Sequence, residues 1–206
     1  MRLEAEKISF RYGREPWILG DVSFSISSGE IVGLSGASGG GKTTLARILA
    51  GYEQPAQGSV RLDGRPLQES GDGAHPVQLV FQHPEQAVNP LWKSGDTLRE
   101  GGDPDSELLR QLGIEPDWLT RWPSELSGGE LQRICVARAL LPSTQFLIAD
   151  EMTTMLDAIT QAQIWQAVLH IAEQRQMGVL VISHDPHLLK RLCSRIVRLD
   201  ELQPCP

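Results

Sequence analysis

The segment Gly36-Ala37-Ser38-Gly39-Gly40-Gly41-Lys42-Thr43 constrains the fold of this chain more than any other feature. It follows a short apolar run, Ile31-Val32-Gly33-Leu34-Ser35, and leads into Thr44-Leu45-Ala46-Arg47-Ile48-Leu49-Ala50, which has helical spacing and a glycine stop at Gly51. The pattern G-x-x-x-x-G-K-[ST] between a strand and a helix is that of a phosphate-binding loop. Its glycines let successive backbone N–H groups wrap phosphate oxygens, and the start of the helix adds partial positive charge. Lys42 is placed to reach β- and γ-phosphates, Thr43 to offer a hydroxyl to Mg²⁺, and Thr44 follows as the next residue of the cradle.

The rest of the chain reads as an α/β core around that unit. Val22–Ser27 alternates apolar and polar residues as a half-exposed strand does, and Gly58–Leu62 is a strand ending in an Asp63-Gly64 turn. Val77–Phe81, Gln145–Ala149, Gly178–Ile182 and Arg195–Leu199 are further strands. They alternate with helices expected at about Gly128–Leu141 and Gln161–Gln174, and with one opened by Asp185-Pro186. Strands that are apolar on both faces and separated by helices imply a mostly parallel sheet covered on both sides. Between Pro84 and Pro123 the composition shifts to prolines, glycines and short amphipathic pieces such as Ser106–Leu112. The expected architecture is a single domain over residues 1–206. It has a P-loop NTPase core, an N-terminal antiparallel β portion and a helical subdomain inserted at about 84–140.

Composition narrows the function. A net charge of −7 gives no general attraction to phosphate backbones, which disfavours nucleic acid as a partner. Cys135, Cys193 and Cys205 have no metal-site or paired spacing, which fits a reducing cytoplasm. The longest apolar runs, such as Val179–Ile182, are too short to span a bilayer, so membrane contact is expected only through another protein. Asp150 and Glu151 close the buried run Phe146–Ala149, at the strand end where open α/β sheets gather ligands. Asp150 is expected to hold Mg²⁺, and Glu151 to orient and deprotonate the attacking water. Ser183-His184-Asp185 cannot be a hydrolase triad, because consecutive residues leaving a strand point apart. His184 and His187 lack a third ligand at metal spacing, and Trp92, Trp118, Trp122 and Trp165 read as core or lobe-interface residues.

Leu126-Ser127-Gly128-Gly129-Glu130-Leu131-Gln132-Arg133 resembles the signature motif of ABC ATPases, and it stands between the phosphate loop and Asp150-Glu151 as in that family. Ser127 and the N–H groups of Gly128 and Gly129 at a helix start form an anion site. The resemblance implies that this site reaches the γ-phosphate of ATP held by a second ABC ATPase subunit, in a head-to-tail homo- or heterodimer. It further implies that Gln82 senses Mg²⁺ and the γ-phosphate and relays to a permease, that Asp157 lies at the dimer interface, and that His184 contacts the γ-phosphate. Tyr12 resembles the aromatic that stacks on adenine, with an ordinary strand tyrosine as the alternative. Where the family commonly has proline and small residues after the catalytic pair, this chain has Met152-Thr153-Thr154-Met155, which puts the stiffness of that turn in question.

Val80–Pro90, Ile148–Glu151 with Gln161–Ile164, and Arg133–Leu140 resemble the peptide/nickel uptake subfamily, although the chain ends soon after its last strand, short of the C-terminal extension common there. The resemblance implies ATP and Mg²⁺ as cofactors, transmembrane permease subunits as partners, and indirectly a substrate-binding protein. The place of work is then the cytoplasmic face of the cell membrane. The alternative is a soluble ABC-type ATPase acting on nucleic acid or ribosomes. Such proteins carry coiled-coil insertions or tandem cassettes, whereas this chain has one compact cassette. A P-loop kinase or GTPase is opposed by Leu126–Glu130.

Overall fold

Two sheets divide the chain between them. The computed structural model describes residues 1–67 and 75–203; Cys205 lies outside the described residues. Strands β1 (Arg2–Phe10), β2 (Leu19–Ser27), β4 (Gln57–Leu62) and β5 (Arg65–Pro66) form an antiparallel sheet in the order β2-β1-β4-β5. Strands β3 (Ile31–Ser35), β6 (Val77–Val80), β7 (Phe146–Asp150), β8 (Gly178–Ile182) and β9 (Arg195–Arg198) form a parallel sheet in the order β6-β7-β8-β3-β9. The helices are α1 (Lys42–Leu49), α2 (Ser94–Arg99), α3 (Ser106–Gln111), α4 (Gly128–Ala139), α5 (Ala158–Arg175) and α6 (Pro186–Leu192).

The central strands are buried on both faces because alternate residues feed two different cores. Leu147, Ala149, Val179 and Val181 pack with Leu98, Leu112, Ile134 and Val168 on the helical side. Phe146, Ile148, Leu180 and Ile182 pack with Leu3, Ile8, Leu45 and Ile48 between the sheets and α1. This is why β7 and β8 read as continuous apolar runs. Gly178 is demanded by close approach, since a Cβ there would lie 2.5 Å from the Phe146 ring and 2.9 Å from the Ser27 carbonyl oxygen.

Several boundaries differ from the sequence reading for identifiable reasons. β1 escapes period-2 detection because bulges separate Ala5 from Ile8 and Ile8 from Phe10, with Lys7 in the left-handed region at φ 52°. α5 begins one turn earlier than expected because Asp157 caps it, accepting from the N–H groups of Ile159 and Thr160, both at 3.0 Å. α2 lacks the length to show a period of 3.6. Among the tryptophans only Trp165 is fully buried; Trp92 and Trp122 are exposed, and Trp122 instead covers the Lys93 ammonium, 3.8 Å from its ring centroid. Tyr12 stands in the loop after β1 rather than in a strand.

Candidate nucleotide site

The chain leaves β3 at Ser35 and turns through Gly36, Gly39 and Gly41, whose φ values of 151°, 74° and 98° are accessible to glycine with little strain. Gly41 also seats the loop against the start of β2, where an added Cβ would come within 2.8 Å of Leu19 and 3.0 Å of Ile18. Among the described helices of eight or more residues, α1 alone has no side-chain cap, and its first turn holds no acidic residue. Its leading N–H groups, from Lys42 to Thr44, therefore have no intrahelical acceptor and face an electropositive end suited to an anion. Lys42 is nearly buried, and its Nζ donates to the carbonyl oxygens of Gly36 and Ala37 at 2.9 Å each. The ammonium is thus held over the loop that it would share with phosphate. Ala37, Ser38 and Gly39 are exposed along that loop, Gly40 is half-buried, and Thr44 is buried beneath it.

Next to this cradle stand the carboxyl ends of the central strands. Asp150 closes β7 and is 4% exposed, with the Thr43 side chain close by. Burial holds its pKa above the ordinary carboxylate value, an effect that the nearby Thr43 hydroxyl opposes, the Glu151 charge adds to, and Lys42 and Arg47 reduce. Glu151 adopts φ 50°, a conformation uncommon outside glycine and typical of functional turns. Its N–H is pinned to the Ile182 carbonyl at 3.0 Å, and its Oε2 lies 3.4 Å from Nδ1 of His184 beyond β8. Both side chains line a cavity of about 160 Å³ with Thr153, Gln161 and Trp165. Gln82, half-buried, leaves β6 on the other side of β7, and α4 grips the preceding residue through Gln132 Nε2 donating to the Phe81 carbonyl at 3.2 Å.

Sequence reasoning missed what steadies the turn after Glu151. Met152 is buried in the helical-side core, and Thr153 Oγ1 accepts from Gln161 Nε2 at 3.0 Å and Trp165 Nε1 at 3.1 Å. Side-chain hydrogen bonds from α5 thus take over the stiffening role of the missing proline. The only sequence signal was a tryptophan on an apolar helix face, whose indole N–H needs an acceptor once buried.

Ser127, Gly128 and Gly129 begin α4, where Ser127 Oγ accepts from Glu130 N–H at 3.3 Å and Glu130 Oε2 accepts from Ser127 N–H at 2.7 Å. This capping box leaves the Ser127 O–H and the two glycine N–H groups as donors. A Cβ on Gly129 would touch Leu156 and Thr160, so this turn lies beside Asp157. Among the described residues no hydrogen bond joins it to the phosphate loop. Asp157 is exposed, and its pKa is lowered chiefly by the Thr160 N–H.

A glycine-rich loop feeding an uncapped helix beside two strand-end carboxylates, on a five-stranded parallel sheet, defines a P-loop nucleotide-binding protein. The ABC transporter family matches residues 19–154. The nickel import ATP-binding protein NikE of Rhodospirillum rubrum is 38% identical over 210 residues, covering 92% of this chain and 75% of the relative. NikE of Escherichia coli strain K12 is 36% identical over 203 residues, covering 90% and 76%. A dimeric ATP-binding cassette solved in a post-hydrolysis state with ADP and phosphate superposes with a TM-score of 0.80 at 25% identity, covering 95% of this chain and 93% of its own. The chain belongs to the ABC transporter family of ATP-binding proteins, and it is an ATPase.

Proposed function

We propose that this chain powers uptake of nickel or peptides through partner permeases, working as one half of a dimer that closes over two ATP molecules. The observation that carries this reading is the separation of two anion sites on one chain. The phosphate loop has its own catalytic pair, while Ser127–Gly129 stands apart beside Asp157 with its donors unspent. The names of the matched relatives supply the cargo class, and the dimeric state of the similar cassette supports pairing.

In this reading Tyr12 stacks on adenine, the loop from Gly36 to Thr44 wraps the phosphates, and Lys42 neutralises their charge. Glu151 holds the attacking water and takes its proton; His184 steadies Glu151 and meets the γ-phosphate. The hard oxygens of Thr43 and Asp150, with the amide oxygen of Gln82, suit Mg²⁺. Thr43 and Asp150 lie close together in the fold, and the ion would supply charge neutralisation for the leaving and transferring phosphates. Residues 84–140 act as an inserted lobe that carries Ser127 toward the partner.

No helix among the described residues is long and apolar enough to cross a membrane. Attachment to the cytoplasmic face therefore falls to a docking groove. A half-open groove of about 400 Å³, lined by Tyr52, Asn89, Trp92 and Arg138, lies along the segment that begins at Gln82, and exposed Leu91 is beside it. Its lining mixes aromatic rings with Gln78, Asn89, Glu100 and Arg138, so it suits an amphipathic permease segment with both charged and apolar residues. Co-expression with candidate permeases should yield a complex whose ATPase activity rises with the cargo-loaded binding protein. A purified complex that shows no stimulation by nickel chelates or peptides would overturn the cargo assignment.

Ser127→Gly separates the two anion sites, because glycine keeps most of the capping free energy and removes only the hydroxyl. Each lost bond to a charged oxygen is worth about 1.5 kcal/mol, so two per dimer should weaken ATP-driven dimerisation about 100-fold. ATP affinity of the isolated monomer should be unchanged, as measured by calorimetric titration beside sedimentation. Weakened monomer binding would contradict the cross-subunit role.

A further inference from the structure

Glu151 holds a backbone conformation that its surroundings must enforce. At φ 50° it lies in the left-handed region, which is unfavourable for a residue with a side chain and persists only where neighbouring structure over-determines it. Upstream the constraint is strong, because Glu151 follows β7 directly and its N–H donates to the Ile182 carbonyl of β8 at 3.0 Å. Downstream the backbone holds only itself. Thr154 N–H donates to the Glu151 carbonyl at 3.1 Å and Leu156 N–H to the Thr153 carbonyl at 3.2 Å, so both bonds close within the turn, while Thr154 and Met155 are exposed.

Side chains must therefore tie that half of the turn to the fold. Met152 and Leu156 do so by apolar contact with the helical-side core, which has no directional preference. The directional anchor is Thr153 Oγ1, which accepts from Gln161 Nε2 at 3.0 Å and from Trp165 Nε1 at 3.1 Å and so uses both of its lone pairs. The two donors stand four residues apart on α5, hence on one face, and the start of that helix is fixed by the Asp157 cap. Thr153 and Trp165 are buried, where water cannot replace a lost partner. All three residues line the cavity of about 160 Å³ that Glu151 and His184 also line, so the anchor and the carboxylate border one space.

We infer that Trp165 and Gln161 are positioning residues for Glu151, acting through Thr153. They hold the turn so that Glu151 keeps its left-handed backbone and its carboxylate stays 3.4 Å from His184. The inference rests on the reading of Glu151 as the base that takes the proton of water. A turn freed of these bonds relaxes in part of the population, and only the remaining fraction presents the carboxylate in reacting geometry. Turnover then falls, whereas the phosphate loop, which lies after a different strand, binds ATP as before.

The test is Mg-ATP turnover and calorimetric ATP affinity of the full chain and its Trp165→Phe, Thr153→Val, Thr153→Ser, Glu151→Gln and Glu151→Gln/Trp165→Phe variants. Trp165→Phe removes one donor and should lower kcat about fivefold; Thr153→Val removes the acceptor of both bonds and should lower it about 25-fold. Thr153→Ser keeps the oxygen and should retain most of the wild-type rate. ATP affinity should be unchanged in all three. In the Glu151→Gln background, Trp165→Phe should leave the residual single-turnover rate unaltered, because the group being positioned is already gone. Wild-type kcat in Trp165→Phe overturns the inference, as does an equal fractional loss in the Glu151→Gln background or a loss confined to ATP affinity. Should Thr153→Val not fold, Trp165→Phe and Thr153→Ser still decide the matter. Normal hydrolysis by Glu151→Gln would instead overturn the reading of Glu151 itself.

Discussion

Replacing Glu151 by Gln is expected to leave ATP bound and almost unhydrolysed, with turnover reduced about 10²- to 10⁴-fold, the usual contribution of a positioned general base. The substitution is close to isosteric, so the Glu151 N–H bond to the Ile182 carbonyl and the φ of 50° need not change. What disappears is the carboxylate oxygen that stands 3.4 Å from His184 and faces the small cavity beyond β8. A neutral amide cannot take the proton of water, and it offers His184 no charge to pair with. Because the phosphate loop is untouched, ATP affinity should be equal to or tighter than that of the wild type. The closed two-subunit state should therefore accumulate, visible as an ATP-dependent dimer in gel filtration. Near-normal phosphate release by this variant would remove Glu151 from the reaction and shift the search for a base to another group.

The sequence reading of Glu151 rests on its neighbours. Phe146 to Ala149 is apolar without interruption, as only a strand buried on both faces allows, and a charged pair directly after such a strand sits at the sheet edge. Lys42 is read from the phosphate-loop pattern, and Gln82 and His184 from the resemblance; the structure sets Gln82 and His184 two residues beyond the ends of β6 and β8. What the sequence hid was long-range or irregular. The bulged β1 disguises its alternation, and α2 is too short to show a period. The hydrogen bonds from Gln161 and Trp165 to Thr153 span 8 and 12 residues, so no local pattern announces them. Asp157 shows a third case, in which one residue serves two ends. The resemblance marks it as an interface residue, and the fold uses its carboxylate to cap α5. The cap fixes the orientation in which the turn after Glu151 is presented, so the two roles are compatible.

Lys42→Met should lower ATP affinity by at least about 10- to 150-fold, which corresponds to one charged hydrogen bond of about 1.5–3 kcal/mol lost from the phosphates. Methionine keeps the apolar stem that packs within the loop and removes only the ammonium, so the variant isolates charge from volume. In the nucleotide-free chain two of the three ammonium donors are spent on the Gly36 and Ala37 carbonyls. Those acceptors lie on a partly exposed loop where water can replace the donor, and the fold should survive. Lys42→Arg is not a rescue, because a planar guanidinium cannot occupy the compact space that a tetrahedral ammonium fills between Gly36 and Ala37. Calorimetric titration of Mg-ATP into the three proteins decides the matter. With the charge gone, the bare N–H groups of the first turn of α1 remain as the anion site, so residual binding should be weak and far more sensitive to salt. Wild-type affinity in Lys42→Met would mean that the phosphates are held elsewhere, and that Gly36–Thr43 is only a turn.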